Sequence, residues 1–445
     1  MELSEKIKTG AIPGLIRELS APAILSLLLN ALNAAIDGVF VAKSVGTAAL
    51  SAVTVSFGIV LIIQALSLLI AAGASASISL RLGKDDRAGA EKVIGNTFFL
   101  SLLFAASITV TGLFTVTPLL RLYGANEENL AYAVEYISVI LSGSCFFIMA
   151  QSMNNCVKGM GYAGRAFLNS LMSVLTNTVL DAVFIFVFHW GVFGAALSTV
   201  IGNGVCMMMA IRFLRSGKCT ANLRLSCIRP SGSGSILSIG LPASIVQFAL
   251  SLVSLTFNHT AAYYGGTAGV ASYGIMYNTM MTVYMPVIGL GQGIQPIFGF
   301  NYSAGNYLRV EKTLKLSITY ATVFAGVMFL LIELAAGAIV GAFGGTGEPS
   351  LAAMAVPGLR LFSLTLPLAG FQMISANYFQ YVGKVKQSVI LSSLRQLILL
   401  IPFALLFPAV TGMTGIWLAT PAADLISFAV TVVFVRNELD LLKKQ

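Results

Sequence analysis

"TNTVLDAVFIF", Thr176–Phe186, is the stretch on which the reading of the chain turns. It sits in a run that is almost wholly apolar from Leu168 to Phe188, yet Asn177 and Asp181 stand inside it, one helical turn apart. A bilayer core of about 30 Å is crossed by roughly 20 helical residues. The runs at 98–120, 166–188 and 318–343 each supply that many. Within lipid every backbone polar group must be bonded inside its own segment, so such a run is a helix. Composition points the same way. The 445 residues are 57% hydrophobic and only 10% charged, with mean hydropathy +0.88, whereas a water-facing globular chain carries about 25% charged residues.

Working outward, the apolar pattern predicts twelve membrane helices, at 15–43, 48–80, 92–120, 130–158, 164–188, 192–215, 236–264, 270–300, 312–343, 351–380, 387–408 and 414–436. The stretch before the first is expected to be a leader on the side of the termini, since its apolar part is too long for a cleaved signal peptide. Of 26 Lys and Arg, only Lys43, Arg121 and Arg360 fall in loops on the side opposite the termini. The positive-inside rule then predicts both termini in the cytoplasm. This bias accounts for the net charge of +9, and bases scattered over many short loops do not suit nucleic acid. Cys145, Cys156, Cys206, Cys219 and Cys227 fit no zinc spacing and are expected as free thiols on a reducing side.

The loop "SGKCTANLRLSCIRPSGSGS", Ser216–Ser235, divides the chain into halves that repeat each other. "GTAALSA" from Gly46 returns as "GTAGVAS" from Gly266, "SAPA" around Pro22 as "GLPA" around Pro242, and "RAGAEK" ending at Lys92 as "YLRVEK" ending at Lys312, each 220 residues on. "GVFGAALST" from Gly191 returns as "GMTGIWLAT" from Gly412, at 221. Six helices per repeat predict an N-lobe (1–215), a linker (216–235) and a C-lobe (236–445) in the same orientation, with a central cavity and a site near the interface of the repeats.

Acidic residues deep in the spans are Asp37, Asp181, Glu333 and Asp424. A charge at the bilayer centre costs about 2.5–3.5 kcal/mol, so such residues mark functional sites by default. With a turn near Trp190, Asp181 and Thr199 each lie roughly 13 Å deep, and with a turn at Val45, Asp37 lies roughly 12 Å deep. Asn177 shares the face of Asp181. Asp37, Asn177, Asp181 and Thr199 form an oxygen-rich band suited to a hard cation such as Na+ or to proton exchange. The second half replaces three of them, with Phe257, Ile398 and Pro402 beside a retained Thr420. A charge confined to one repeat argues against a merely structural role. Asn30, Asn33 and Asp37 share one helical stripe, which reads equally as cavity lining or as helix packing. Asn154 reads as path lining or as a cap. Glu333 and Asp424 show no partner in the sequence and read as structural. His189 and His259 read as interfacial. Pro22 and Pro242 break the helical bonding at matched points and suggest bending.

"AAIDGVFVAKSVGTAALSA", "NTVLDAVFIF", "GVFGAALST" and "GQGIQPIFGFNYSAGN" together resemble the multidrug and toxic compound extrusion (MATE) transporters, in the branch with DinF-like and MepA-like members. The resemblance covers the whole chain. It implies an N-lobe cation site at Asp37, Asn177, Asp181 and Thr199, with the Ala195 carbonyl as a further ligand. It also implies a bending proline at Pro22, and drug-cavity positions at Asn30 and Asn154. The acids that another branch carries in its seventh and tenth helices are absent here, where Asn258 and His259 stand, so no C-lobe ion site is expected. The resulting expectation is an all-α polytopic membrane protein. It would be a monomer without cofactor in a bacterial-type plasma membrane, driven by H+ or Na+ and exporting lipophilic, often cationic compounds. A lipid-linked sugar flippase is the first rival. It would favour a basic cavity, and deep basic residues are expected to be absent. A major facilitator lacks its usual basic loop here. A membrane-embedded enzyme lacks a nucleophile–base set or metal ligands.

Overall fold

The computed structural model describes residues 3–44, 47–123, 125, 127, 129–228, 232–345 and 349–444. The expected turn at Val45 and Gly46 lies outside them. The described residues form helices joined by short turns, with no strand among them.

Helices one to three are Ile12–Ser44, Thr47–Gly83 and Arg87–Leu122. Helix four is two pieces, Leu130–Ser142 and Ser144–Gly159, bent by 50°. Helix five is Ala163–Asp181, continued by Ala182–Val187 in π geometry, and helix six is Gly191–Arg215. Helices seven and eight share one helical run, Ser233–Ser303, broken at Gly266, where φ is 56° and ψ −148°. The chain reverses there. Phe257 and Tyr273 are 16 residues apart, about 24 Å along one straight helix, yet their rings stack at 5.2 Å. The bare α-carbon of Gly266 is what admits that positive φ. Helix nine is Tyr307–Val340 with a π end, Gly341–Gly345. Helix ten is Pro349–Ser363 and Leu366–Tyr381, bent by 48°. Helix eleven is Val385–Ser393, Leu394–Leu400 in π geometry, and Ile401–Thr411, and helix twelve is Met413–Lys444. With the run divided at Gly266, the described residues hold twelve apolar spans. The bends in helices four and ten were not anticipated from the apolar pattern, which registers length and not direction.

The repeat is visible in the backbone. Positive φ recurs at Asp85 and Gly305, at Gly161 and Gly383, and at Gly191 and Gly412, offsets of 220, 222 and 221 beside the 220 and 221 that the sequence shows. Packing repeats too. A Cβ on Gly73 of helix two would overlap the Ile236 carbonyl of helix seven, and one on Gly293 of helix eight would overlap Ser20 of helix one. Gly73 and Gly293 are repeat mates, and so are Ser20 and Gly240. Helix two meets helix eight at its own mate, Gly299 lying against Ser79 and Gly83 against Ser303, as an axis running between the halves along the membrane normal requires. These crossings tie the halves together toward the side of the termini.

One buried apolar cluster comes from residues 7–236 with Phe300, and a second from residues 253–423. A third joins Ile12, Ile16 and Leu19 to Ile294, Phe298 and Tyr378. Outward-facing residues are also apolar, Leu334 and Val410 being 85% and 86% exposed. Lipid is the medium that suits such a surface. The short helix Leu3–Thr9 packs Ile7 inward, while Arg309 and Asn301 donate to its carbonyls and Lys8 pairs with Asp85 at 2.7 Å.

Candidate functional site

Three helices supply the polar group around Asp181. Helix five brings Asn177 and Asp181, and its ladder passes into π geometry at Ala182, immediately beyond the carboxylate. Such π segments gather at functional sites. Helix one brings Asn33 and Asp37, and helix six Ala195, Ser198 and Thr199. Helix six comes close because Gly202 has no side chain. A Cβ there would press on Asn177 and on the Ser173 carbonyl, and Ser173 Oγ donates to Gly202 O at 2.8 Å.

Asn33 is the hinge of the group. Its Nδ2 donates to Asp37 Oδ2 at 3.1 Å and to Asn177 Oδ1 at 2.7 Å, and its Oδ1 accepts from Thr178 at 3.2 Å. Asn177 Nδ2 donates to Ser198 Oγ at 3.2 Å and Thr199 Oγ1 at 3.4 Å. Thr199 donates to the Ala195 carbonyl at 3.0 Å. Ser198 Oγ lies against both Asp181 Oδ1 and the Ala195 carbonyl. One hydroxyl hydrogen serves only one of these at a time. Asp181 and Ser198 are fully buried.

The two carboxyl groups, Asp37 and Asp181, are near enough to interact electrostatically and stand at the two ends of one chain of side-chain hydrogen bonds through Asn33, Asn177 and Ser198. Yet Asp37 Oδ1 and Asp181 Oδ2 are buried with no donor. Ionised carboxylates are acceptors only. Two of them side by side in a buried setting call for a proton or a cation between them. A hard cation takes oxygen ligands, and the group offers carboxylate, amide, hydroxyl and carbonyl oxygens. The residues present therefore fit either.

The structure brings Asp37, Asn177, Asp181, Thr199 and Ala195 together. Asn33, whose stripe reads equally as cavity lining or as helix packing, joins this cluster. Ser198 was not singled out in the sequence. The available signal was its face, since residues 195, 198, 199 and 202 recur at helical spacing beside helix five. Asn30 is exposed. Asn154 is tied up between helices four and five, donating to Ala166 O at 3.2 Å and accepting from Asn169 at 3.0 Å. Helix one continues through Pro22, whose carbonyl accepts from Ser26 at 2.9 Å.

A cavity of about 280 Å³ opens between the halves, above the Gly73–Gly240 crossing, with Leu68, Ala72 and Asn155 on one side and helices seven, eight, ten, eleven and twelve on the other. None of Asn30, Asn33 and Asn154 lines it. Arg395 does. The expectation that deep basic residues are absent is therefore corrected. Arg395 stands ten residues into helix eleven, held there because its Nε donates to Asp424 Oδ1 at 2.6 Å. Asp424 and Glu333 likewise have the partners that the sequence did not reveal, Glu333 pairing with Arg360 at 3.8 Å.

Twelve spans in two matched halves, a cavity between them and a buried carboxylate pair beside one define a membrane transport protein rather than an enzyme. Comparison with known proteins agrees. The MatE family profile matches residues 22–183 and 242–406, so the chain belongs to the MatE family, the multidrug and toxic compound extrusion transporters. The multidrug export protein MepA of Staphylococcus haemolyticus is 25% identical over 94% of this chain and 93% of its own. That of Staphylococcus saprophyticus is 24% identical over 89% and 87%. A solved multidrug resistance MATE transporter in an outward-facing conformation superposes with a TM-score of 0.93 at 27% identity, covering 100% of this chain and 99% of its own.

Proposed function

We propose that this protein is a secondary antiporter in which cation entry through the Asp37–Asp181 group drives export of lipophilic compounds, cationic ones among them. The observation that carries the reading is the pair of neighbouring carboxylates, Asp181 buried and Asp37 half-buried, each with one buried oxygen that has no donor. A proton or Na+ taken up there neutralises the pair. Helix one can then close on helix five through Asn33 and Asn177. Loss of the ion restores repulsion between the carboxylates and favours separation of the helices. Because helix one also carries Ser20 and Ile24 against helix eight, its movement reaches the contact between the halves. The lobes 1–215 and 236–445, joined by 216–235, would rock about the cavity. Residues 1–215 hold the ion site, both termini face the cytoplasm of a plasma membrane, and the unit is a monomer with no cofactor. A flippase for a lipid-linked sugar is the second reading, favoured by Arg395 in the cavity wall.

The test is ethidium movement in proteoliposomes under an imposed pH or Na+ gradient, wild type beside Asp181→Asn. One gradient should drive transport and the variant should lose it. Transport by neither gradient, or an unimpaired variant, removes the antiport reading and leaves the flippase ahead.

A further inference from the structure

The cavity between the halves has a polarity of its own. Arg395 is in its wall, and no Asp or Glu lines it among the described residues. Asp424 balances the charge from behind. It is 2% exposed, its Oδ2 accepts from Thr365 at 2.9 Å, and it engages Arg395 through Nε. An arginine has five N–H donors in a planar fork; Asp424 takes Nε and the Tyr284 hydroxyl, also in the lining, engages the guanidinium as well, which leaves the remaining terminal N–H groups for another acceptor. The amides around it are also incompletely bonded. Gln372 spends Nε2 on the Asp424 carbonyl at 2.6 Å, and its Oε1 is buried without a donor. Gln295 is 5% exposed and its Nε2 has no acceptor. Both line the cavity. At the floor, Lys158 donates to the lining residue Gln292 at 3.3 Å, adding a second positive charge behind the wall. The remaining wall combines apolar side chains, Leu68, Leu250, Met281 and Ile288, with further amides, Gln247, Asn377 and Gln396 among them.

From the guanidinium, the unpaired amide donor and the unpaired amide acceptor converging in this cavity, we propose that it is a binding site for an amphiphilic organic acid, a flat apolar body bearing one carboxylate. The carboxylate takes the free side of the Arg395 fork and Gln295 Nε2, and a hydroxyl or amide N–H on the body serves Gln372 Oε1. A lone organic cation finds no counter-charge in this wall. The proposal goes beyond the antiporter reading by assigning this cavity to anionic rather than cationic lipophilic cargo, and it rests on that reading only for the direction of transport.

The experiment is equilibrium binding to the full chain in nanodiscs of three probes that share one ring system: 1-pyrenebutyrate, neutral 1-pyrenebutanol and a pyrenebutyl-trimethylammonium. Wild type should bind the carboxylate about tenfold or more tighter than the alcohol, as a charge-assisted bond implies, and the ammonium no tighter than the alcohol. Arg395→Gln alone would strand a buried Asp424, so the informative variant is Arg395→Gln with Asp424→Asn, which keeps the site neutral. Its carboxylate-to-alcohol ratio should fall to about one, set by the loss of that same charge-assisted bond. Gln295→Met, neutral and of similar volume, should lower the ratio a few-fold and serves if the double variant does not fold. Equal binding of all three probes, or a ratio that survives these variants, overturns the proposal. Binding is read without a gradient. Gradient-driven transport is therefore followed with ethidium and with 1-pyrenebutyrate side by side: failure of both sinks the antiporter alone, and loss of the carboxylate preference in binding sinks the cavity assignment alone.

Discussion

At the scale of single residues, buried polar atoms decide what this protein can do. Asn33 illustrates it. In the sequence it is one polar residue on an apolar helix, four before Asp37. In the structure it links the carboxylate of helix one to the amide of helix five. A hydrogen bond to a charged group contributes about 1.5–3 kcal/mol, so Asn33→Ala should raise the driving-ion concentration for half-maximal ethidium transport by about tenfold or more. Gradient titration in proteoliposomes checks this, and an unchanged midpoint would show that Asn33 only packs. Asp37, Asn177 and Asp181 were legible because a carboxylate in lipid is costly enough to need a reason. Ser198 was not, since a serine inside a membrane helix can satisfy itself on the preceding turn, as Ser56 and Ser67 do here. Arg395 and Asp424 were each visible, but their pairing joins helices eleven and twelve across 29 residues.

Elements depend on their ends and on where glycine admits a close approach. Helix three begins at Arg87, and Asp86 caps it by accepting from the Gly89 amide at 2.8 Å while pairing with Arg81 at 2.8 Å. The Gly89 amide first, and the Arg81 guanidinium after it, hold the Asp86 carboxyl below the usual range. A depressed carboxyl stabilises the fold above its unfolded pKa, and the contribution is lost as pH falls through the folded value. Asp86→Ala should therefore cost about 1 kcal/mol near neutral pH, with the gap between wild type and variant closing on acidification. Thermal unfolding of both proteins across an acid pH series measures it, and a gap independent of pH would mean that the charge plays no part. The span lengths of the helices were readable from apolar runs. Their bends, at Gly143 and near Thr365, were not, because a bend depends on what the helix packs against.

For the whole molecule, the repeat is the organising fact. Gly73 against Gly240 is mirrored by Gly293 against Ser20, and helices two and eight cross at Ser79–Gly299. Opening the cavity toward the termini requires these crossings to part. Spin labels at Lys84 and Ala304, on the matched turns after helices two and eight, should show a single short distance in the state described here. A longer component should appear when the driving gradient or a substrate shifts the population. Pulsed dipolar measurement on a variant stripped of its native cysteines reads it directly, and a distance unmoved under transporting conditions would exclude rocking of the halves about this axis.

The sequence by itself determined the class of medium, the number of spans, the two-fold repetition and the fact that the first half carries carboxylates, Asp37 and Asp181, where the second half has Phe257 and Pro402. These follow from properties additive along the chain: hydropathy over a helix length, a recurring offset, and the cost of a carboxylate in lipid. The tertiary structure decided which polar residues meet. It drew Asn33 and Ser198 into the carboxylate group, held Asn154 away from the cavity, and set Arg395 in the cavity wall with Asp424 behind it. Such contacts join helices far apart in the chain, and the angle at which two helices cross is fixed by glycines and side-chain shapes acting together, which no single stretch of sequence contains.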